Sequence, residues 1–96
     1  MITITLHKVV GDFAENKDVA RDIREKEILP ALEKGDEVVV DFEGITGATQ
    51  SFVHALISEA IRRYGGDALD RISFKNCNET VQKIITIVTE YMQESG

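Results

Sequence analysis

The chain lacks several features that would have narrowed its role. It has one cysteine, Cys77, so no internal disulfide can form, and a lone free thiol suits a reducing, cytoplasmic setting. Bases are in deficit: 11 Lys and Arg stand against 17 Asp and Glu, a formal net charge of −6. A surface of that sign repels phosphate backbones, which argues against nucleic acid and for a basic protein partner. No apolar run reaches the length of a membrane span, and the opening MITITLHK has neither the basic flank nor the apolar block of a secretion signal. No membrane contact is predicted. Gly44 and Gly47 are not followed by Gly-Lys or by a third glycine, so the chain has no phosphate-cradling loop and no dinucleotide fingerprint. No cofactor is predicted. His7, His54 and Cys77 are single and scattered, and Asp36, Asp41 and Glu43 lack the alternating oxygens of a calcium loop, so no metal site is predicted either.

What remains is enough for one domain spanning residues 1–96, with 43% apolar content to form its core. Ile2, Ile4 and Leu6 alternate with threonines at the period of a strand. Residues 7–16 have no clear period and read as a connection with a turn at Gly11-Asp12. A helical pattern follows from Lys17 to Lys34, but its apolar stripe slips in phase between Ile23 and Ile28. Pro30, the only proline, cannot donate to the helical ladder, so a kink is predicted near Lys26, with Gly35 as the C-cap.

Val38-Val39-Val40-Asp41-Phe42 is a continuous run of the kind found in a central parallel strand covered on both faces. Val53, Leu56, Ile57, Ala60, Ile61 and Tyr64 mark one face of a helix that ends at Gly65-Gly66. Residues 71–75 alternate again, as a less covered strand. The last helix carries Val81, Ile84, Ile85, Val88, Tyr91 and Met92 on its buried stripe. Asn76 or Asn78 is its cap, with Glu79 placed to complete a capping box from Asn76.

The order β-α-β-α-β-α predicts a small α/β domain, a mostly parallel sheet with helices packed against it. Partners of such sheets meet the loops at the carboxyl ends of the strands, here residues 43–50 and Asn76 to Asn78. Ser51 follows directly on the first of these. If Ser51 caps the helix, its oxygen serves an amide two or three residues on. If Thr49 is the cap, Ser51 lies in the first turn, where a phosphate would meet the positive end of the helix dipole. Ser51 is three residues before His54, a neighbour distance that suggests nucleophilic catalysis. Yet His54 shares its face with Ser58 and Arg62, and no glycine-flanked nucleophile turn is present. Asp41, ending the strand, is suited to hydrogen-bonding loop amides, which is structural support and not catalysis. No catalytic residue is assigned.

The runs VVVDFEGITGATQSFVHALI and ISFKNCNETVQKIITIV resemble the STAS-like family of unknown function, itself similar to the STAS domain of anti-sigma factor antagonists. The likeness covers residues 37 to about 88. It implies a STAS-like fold and a non-enzymatic regulatory or interaction module. In the antagonists a serine at the start of this helix is phosphorylated by a partner kinase, and the resemblance places Ser51 there. Thr49 stands where antagonists carry an aspartate, and Asp41 lies near the end of the shared strand. The antagonist motif Asp-Ser-Ser-Gly reads Thr-Gln-Ser-Phe here, so the glycine and the acid are both missing. Phe52 either packs inward or forms an apolar contact for a partner.

The expected partner is a protein: a histidine-kinase-like ATPase of the type that the resemblance implies, or another regulator. Asp41, Thr49, Phe52, Asn76 and Asn78 are candidate contacts and Ser51 is the candidate phosphorylation site. The contrasting possibility is a small hydrolase or ligand-binding protein using Ser51, His54 and Asp41.

Overall fold

Three short apolar stretches pair in parallel to make the sheet. The computed structural model of the protein describes residues 1–95. Strand β1 (Ile2–Thr5) leads into a helical turn α1 (His7–Val10) and a two-residue strand β2 (Phe13–Ala14). A long helical segment begins as α2 (Lys17–Ile23), widens into a π-helical turn (Arg24–Ile28) and finishes as α3 (Leu29–Glu33). Then come β3 (Val38–Asp41), the two-residue β4 (Gly47–Ala48), α4 (Gln50–Tyr64), α5 (Gly66–Arg71), β5 (Ile72–Lys75) and α6 (Glu79–Ser95). The fold is α/β and consistent with a STAS-like domain, as the element order predicts. The short elements α1, β2 and α5 escape a reading by periodicity, because two to six residues are too few to show one.

The main sheet has the order β1-β3-β5, and its register sets Ile4 beside Val40 and Val40 beside Phe74. Successive strands are added in one direction, so right-handed crossovers place both connecting helices on the same face. That face carries Ile4, Leu6, Val38, Val40, Phe42 and Ile72, all buried in one core with residues of α2, α4 and α6. The other face carries Thr3, Ser73 and Lys75, all exposed, with Thr5, Val39 and Asp41 half-buried. The central strand is therefore covered on one face, not the two suggested by its valine run. The last helix covers the chain's own core through Val81, Ile85, Val88 and Met92, while Tyr91 is 62% exposed at its edge.

The slip in the helical stripe has a definite cause. Ile23 and Ile28 are five residues apart and both buried, and the amide of Leu29 donates to the carbonyl of Arg24, an i→i−5 bond. Pro30 has no amide to offer Lys26 and its ring would crowd that carbonyl; the wider turn accommodates it. The helix ends in a Schellman motif: Gly35, at φ 82°, donates to Leu32 at 3.0 Å and Asp36 donates to Ala31 at 2.9 Å.

Arg71 then ties α5 to this helix end. Its guanidinium donates to the carbonyl of Leu32 and, at 3.2 Å, to that of Asp36, pairs with Asp67 at 3.1 Å and lies 5.9 Å from the Tyr64 ring centroid. Replacing Arg71 with Ala takes the donor from the part-buried Asp36 carbonyl and one of the donors from that of Leu32, which keeps the Gly35 amide. The expected loss of stability in urea denaturation is about 1.5–3 kcal/mol, with Arg71→Lys recovering part of it.

Candidate functional site

The carboxyl edge of the sheet is held together by a network of side chains on backbone. Asp41 Oδ1 accepts from the amide of Glu43 at 2.9 Å and from Asn76 Nδ2 at 3.0 Å, joining the loop after β3 to the turn after β5. These two hydrogen bonds, the one from Asn76 first, hold the Asp41 carboxyl below its ordinary pKa. Asn76 adopts φ 58°, a left-handed conformation that asparagine tolerates, and it is not the cap of α6. Asn78 is the cap: its Oδ1 accepts from the amide of Val81 at 2.8 Å, and its Nδ2 donates to the carbonyl of Thr46 at 3.0 Å. The capping box predicted from Asn76 and Glu79 is therefore replaced by a cap that also grips the loop. On the far side, β2 and β4 pair in parallel, and Thr46 donates its amide to Asp12 at 2.7 Å. Gly44 sits at φ 83° against the His7 ring, where a Cβ would approach within 2.9 Å.

This framework fixes the start of α4. Thr49, extended at φ −90° and ψ 155°, accepts the amide of Phe52 on its hydroxyl at 3.1 Å and is the N-cap. Ser51 is therefore not the cap. It is exposed in the first turn of a 15-residue helix, a turn whose early amides point outward. Phe52 is fully buried in the core, so of its two predicted roles the inward one is seen and it offers no surface to a partner. Asp41, Asn76 and Asn78 spend their side chains on the loop itself and hold the site's shape. Cys77 sits in the same turn; burial, and then the Asp41 carboxylate, push its thiol above the ordinary range, so the reactive thiolate is scarce.

Ser51 and His54 open onto a groove of about 570 Å³ between α2, α4 and α6. One wall is cationic: Lys17, Arg21 and Arg24 from the helix across, and Arg62 from α4 itself. The other is apolar, with Ala55, Ile87 and Val88, and Ser58 is buried within it. Among the described residues no carboxylate lines the groove. Ser51 and His54 thus share a cavity, whereas Asp41 stays among the loop hydrogen bonds, so the three residues of the hydrolase reading are not brought together. Among the described residues no three His, Cys, Asp or Glu side chains cluster as metal ligands. No helix among them is long and apolar enough to cross a membrane.

The cationic wall was not anticipated from the sequence, although Lys17, Arg21 and Arg24 fall at i, i+4 and i+7, one face of a helix. The facing stripe of His54, Ser58 and Arg62 was visible, but nothing in the sequence set the two against each other.

Residues 19–82 match the family model of the STAS-like domain of unknown function, two thirds of the 96-residue chain, and the chain belongs to that family. The match starts at Val19, so it takes in most of α2 and the whole π-helical turn, well before the residues that carry the resemblance in the sequence alone. No curated protein and no solved structure matches the chain.

Two substitutions separate the cap from its neighbour. Thr49→Ala is expected to cost about 1 kcal/mol in chemical denaturation, whereas Ser51→Ala stays within about 0.5 kcal/mol of wild type. Asp41 adds a pH signature. Its carboxyl pKa is lowered by folding, so its contribution is present above the unfolded value, about 3.9, and is lost as pH falls through the folded value. The stability gap between wild type and Asp41→Asn should therefore be open at neutral pH and close in strong acid, as read by urea denaturation at both.

Proposed function

We propose that this STAS-like domain is a non-enzymatic regulatory module that a protein partner reads at the start of α4, with phosphorylation of Ser51 as the switch. The observation that carries the reading is the division of labour at the helix start: Thr49 caps the helix, and the Ser51 hydroxyl is left exposed with no capping duty. A phosphate there would add nearly two negative charges beside the positive end of the helix and a cationic groove wall. Family membership supports the regulatory role, and the likeness to anti-sigma factor antagonists supports a histidine-kinase-like ATPase as both kinase and partner. The lone, poorly ionised thiol of Cys77 suits a cytoplasmic setting.

Peptide mass spectrometry after incubation with ATP and lysate from the protein's own source cells tests the switch. The expected result is a phosphate localised to Ser51; unmodified Ser51, with a control substrate phosphorylated in the same lysate, would sink it. Once the kinase is in hand, Ser51→Asp should bind it more weakly and Ser51→Ala as wild type.

A further inference from the structure

We infer that the groove between α2, α4 and α6 binds a small organic anion: a phosphate or carboxylate held by Lys17, Arg21 and Arg24, with an apolar body lying over Ala55, Ile87 and Val88. The inference does not rest on modification of Ser51. Size is the first support, since about 570 Å³ falls within the range of small-molecule sites and suits one ligand of modest size.

Charge is the second. On a chain of net charge −6, the described residues of this groove include three arginines and a lysine and no carboxylate. Their existing pairs do not use them up. Arg21 meets Asp18 at 3.5 Å, Arg62 meets Glu59 at 3.6 Å and Arg24 meets Glu25 at 3.1 Å, and Asp18 and Glu25 are themselves well exposed. The Arg21–Asp18 pair, exposed on both sides, is of the weak kind. Lys17 has no ion pair among the described residues.

Arg24 is the third support. Only 17% of its side chain is exposed, its Nε is buried without an acceptor among the described residues, and its Nη1 reaches the Ala55 carbonyl at a long 3.4 Å. The long Nη1 bond is a weak hold on a guanidinium that lines the groove, and an anion oxygen there would offer it a shorter, charge-assisted acceptor. The apolar wall then favours more than a bare ion. Ile87 is 46% exposed beside this cluster, and an inorganic anion would leave it uncovered, whereas an aromatic or aliphatic body would cover it.

Amide chemical shifts of the full chain, titrated with phenyl phosphate, inorganic phosphate, phenol and benzoate, test the assignment. Phenyl phosphate or benzoate is expected to give saturable shifts confined to residues 17–24, 50–58 and 87–91. The tighter of the two should bind at least about tenfold better than phosphate or phenol, and which of them is tighter identifies the acid group. The Lys17→Glu, Arg21→Glu double variant changes only exposed side chains and should weaken that binding about tenfold or more at an unchanged unfolding midpoint. Lys17→Gln, a milder change, should weaken it in the same direction. Phenol binding as well as the two anions, shifts centred outside the groove, no saturable shift up to the solubility limit, or full binding by the folded variants would each overturn the assignment.

Discussion

Val38, Val40 and Phe42 project from the middle strand into the helix layer, flanked by Ile4 and Leu6 on one side and Ile72 on the other. Burial of this single apolar face organises the rest of the molecule. The strands are added in one direction, so the order never reverses and no crevice opens at the carboxyl edge of the sheet. The helices are instead crowded side by side on one layer, and the concave surface of the molecule arises between them. A parallel sheet with one polar face is uncommon, and here the exposed threonine, serine and lysine side chains make that face compatible with water.

The carboxyl edge still matters, as a mounting. Asp41, Asn78 and the strand pair β2–β4 grip the loop after β3 from three sides, and Thr49 completes the hold by capping α4. Ser51 projects from the fixed end of a long helix and not from a loose loop. Any molecule approaching there meets a preorganised surface, with the loop held by its own hydrogen bonds and the cations Lys17 and Arg21 of α2 within the same groove.

The sequence was most legible where periodicity was long. The stripe of α4 from Val53 to Ile61 is buried as its spacing predicts, and Val81, Ile85 and Val88 do the same for α6. Asp41 was readable as loop support because a carboxylate ending a buried strand has few other uses. Three features were not readable. The valine run of β3 looks alike whether one face or two are covered, since composition does not report which crossovers lie where. Asn76 and Asn78 differ only in φ, which no residue name discloses. The groove joins stripes thirty residues apart, each of which by itself resembles a solvated helix face. The π-helical turn was half legible: the phase slip and Pro30 located the disturbance, but not the widened hydrogen bond that absorbs it.

That turn makes chain length a carrier of information. Each residue advances an α-helix by about 100°, so one residue gained or lost rotates everything beyond it by more than a quarter turn. The extra residue between Ile23 and Ile28 lets the two halves of the segment obey different clients: Lys17 and Arg21 upstream, and Arg24 at the start of the turn, line the groove, while downstream Ile28, Leu29 and Leu32 stay on the core. A relative one residue shorter here could not keep both alignments.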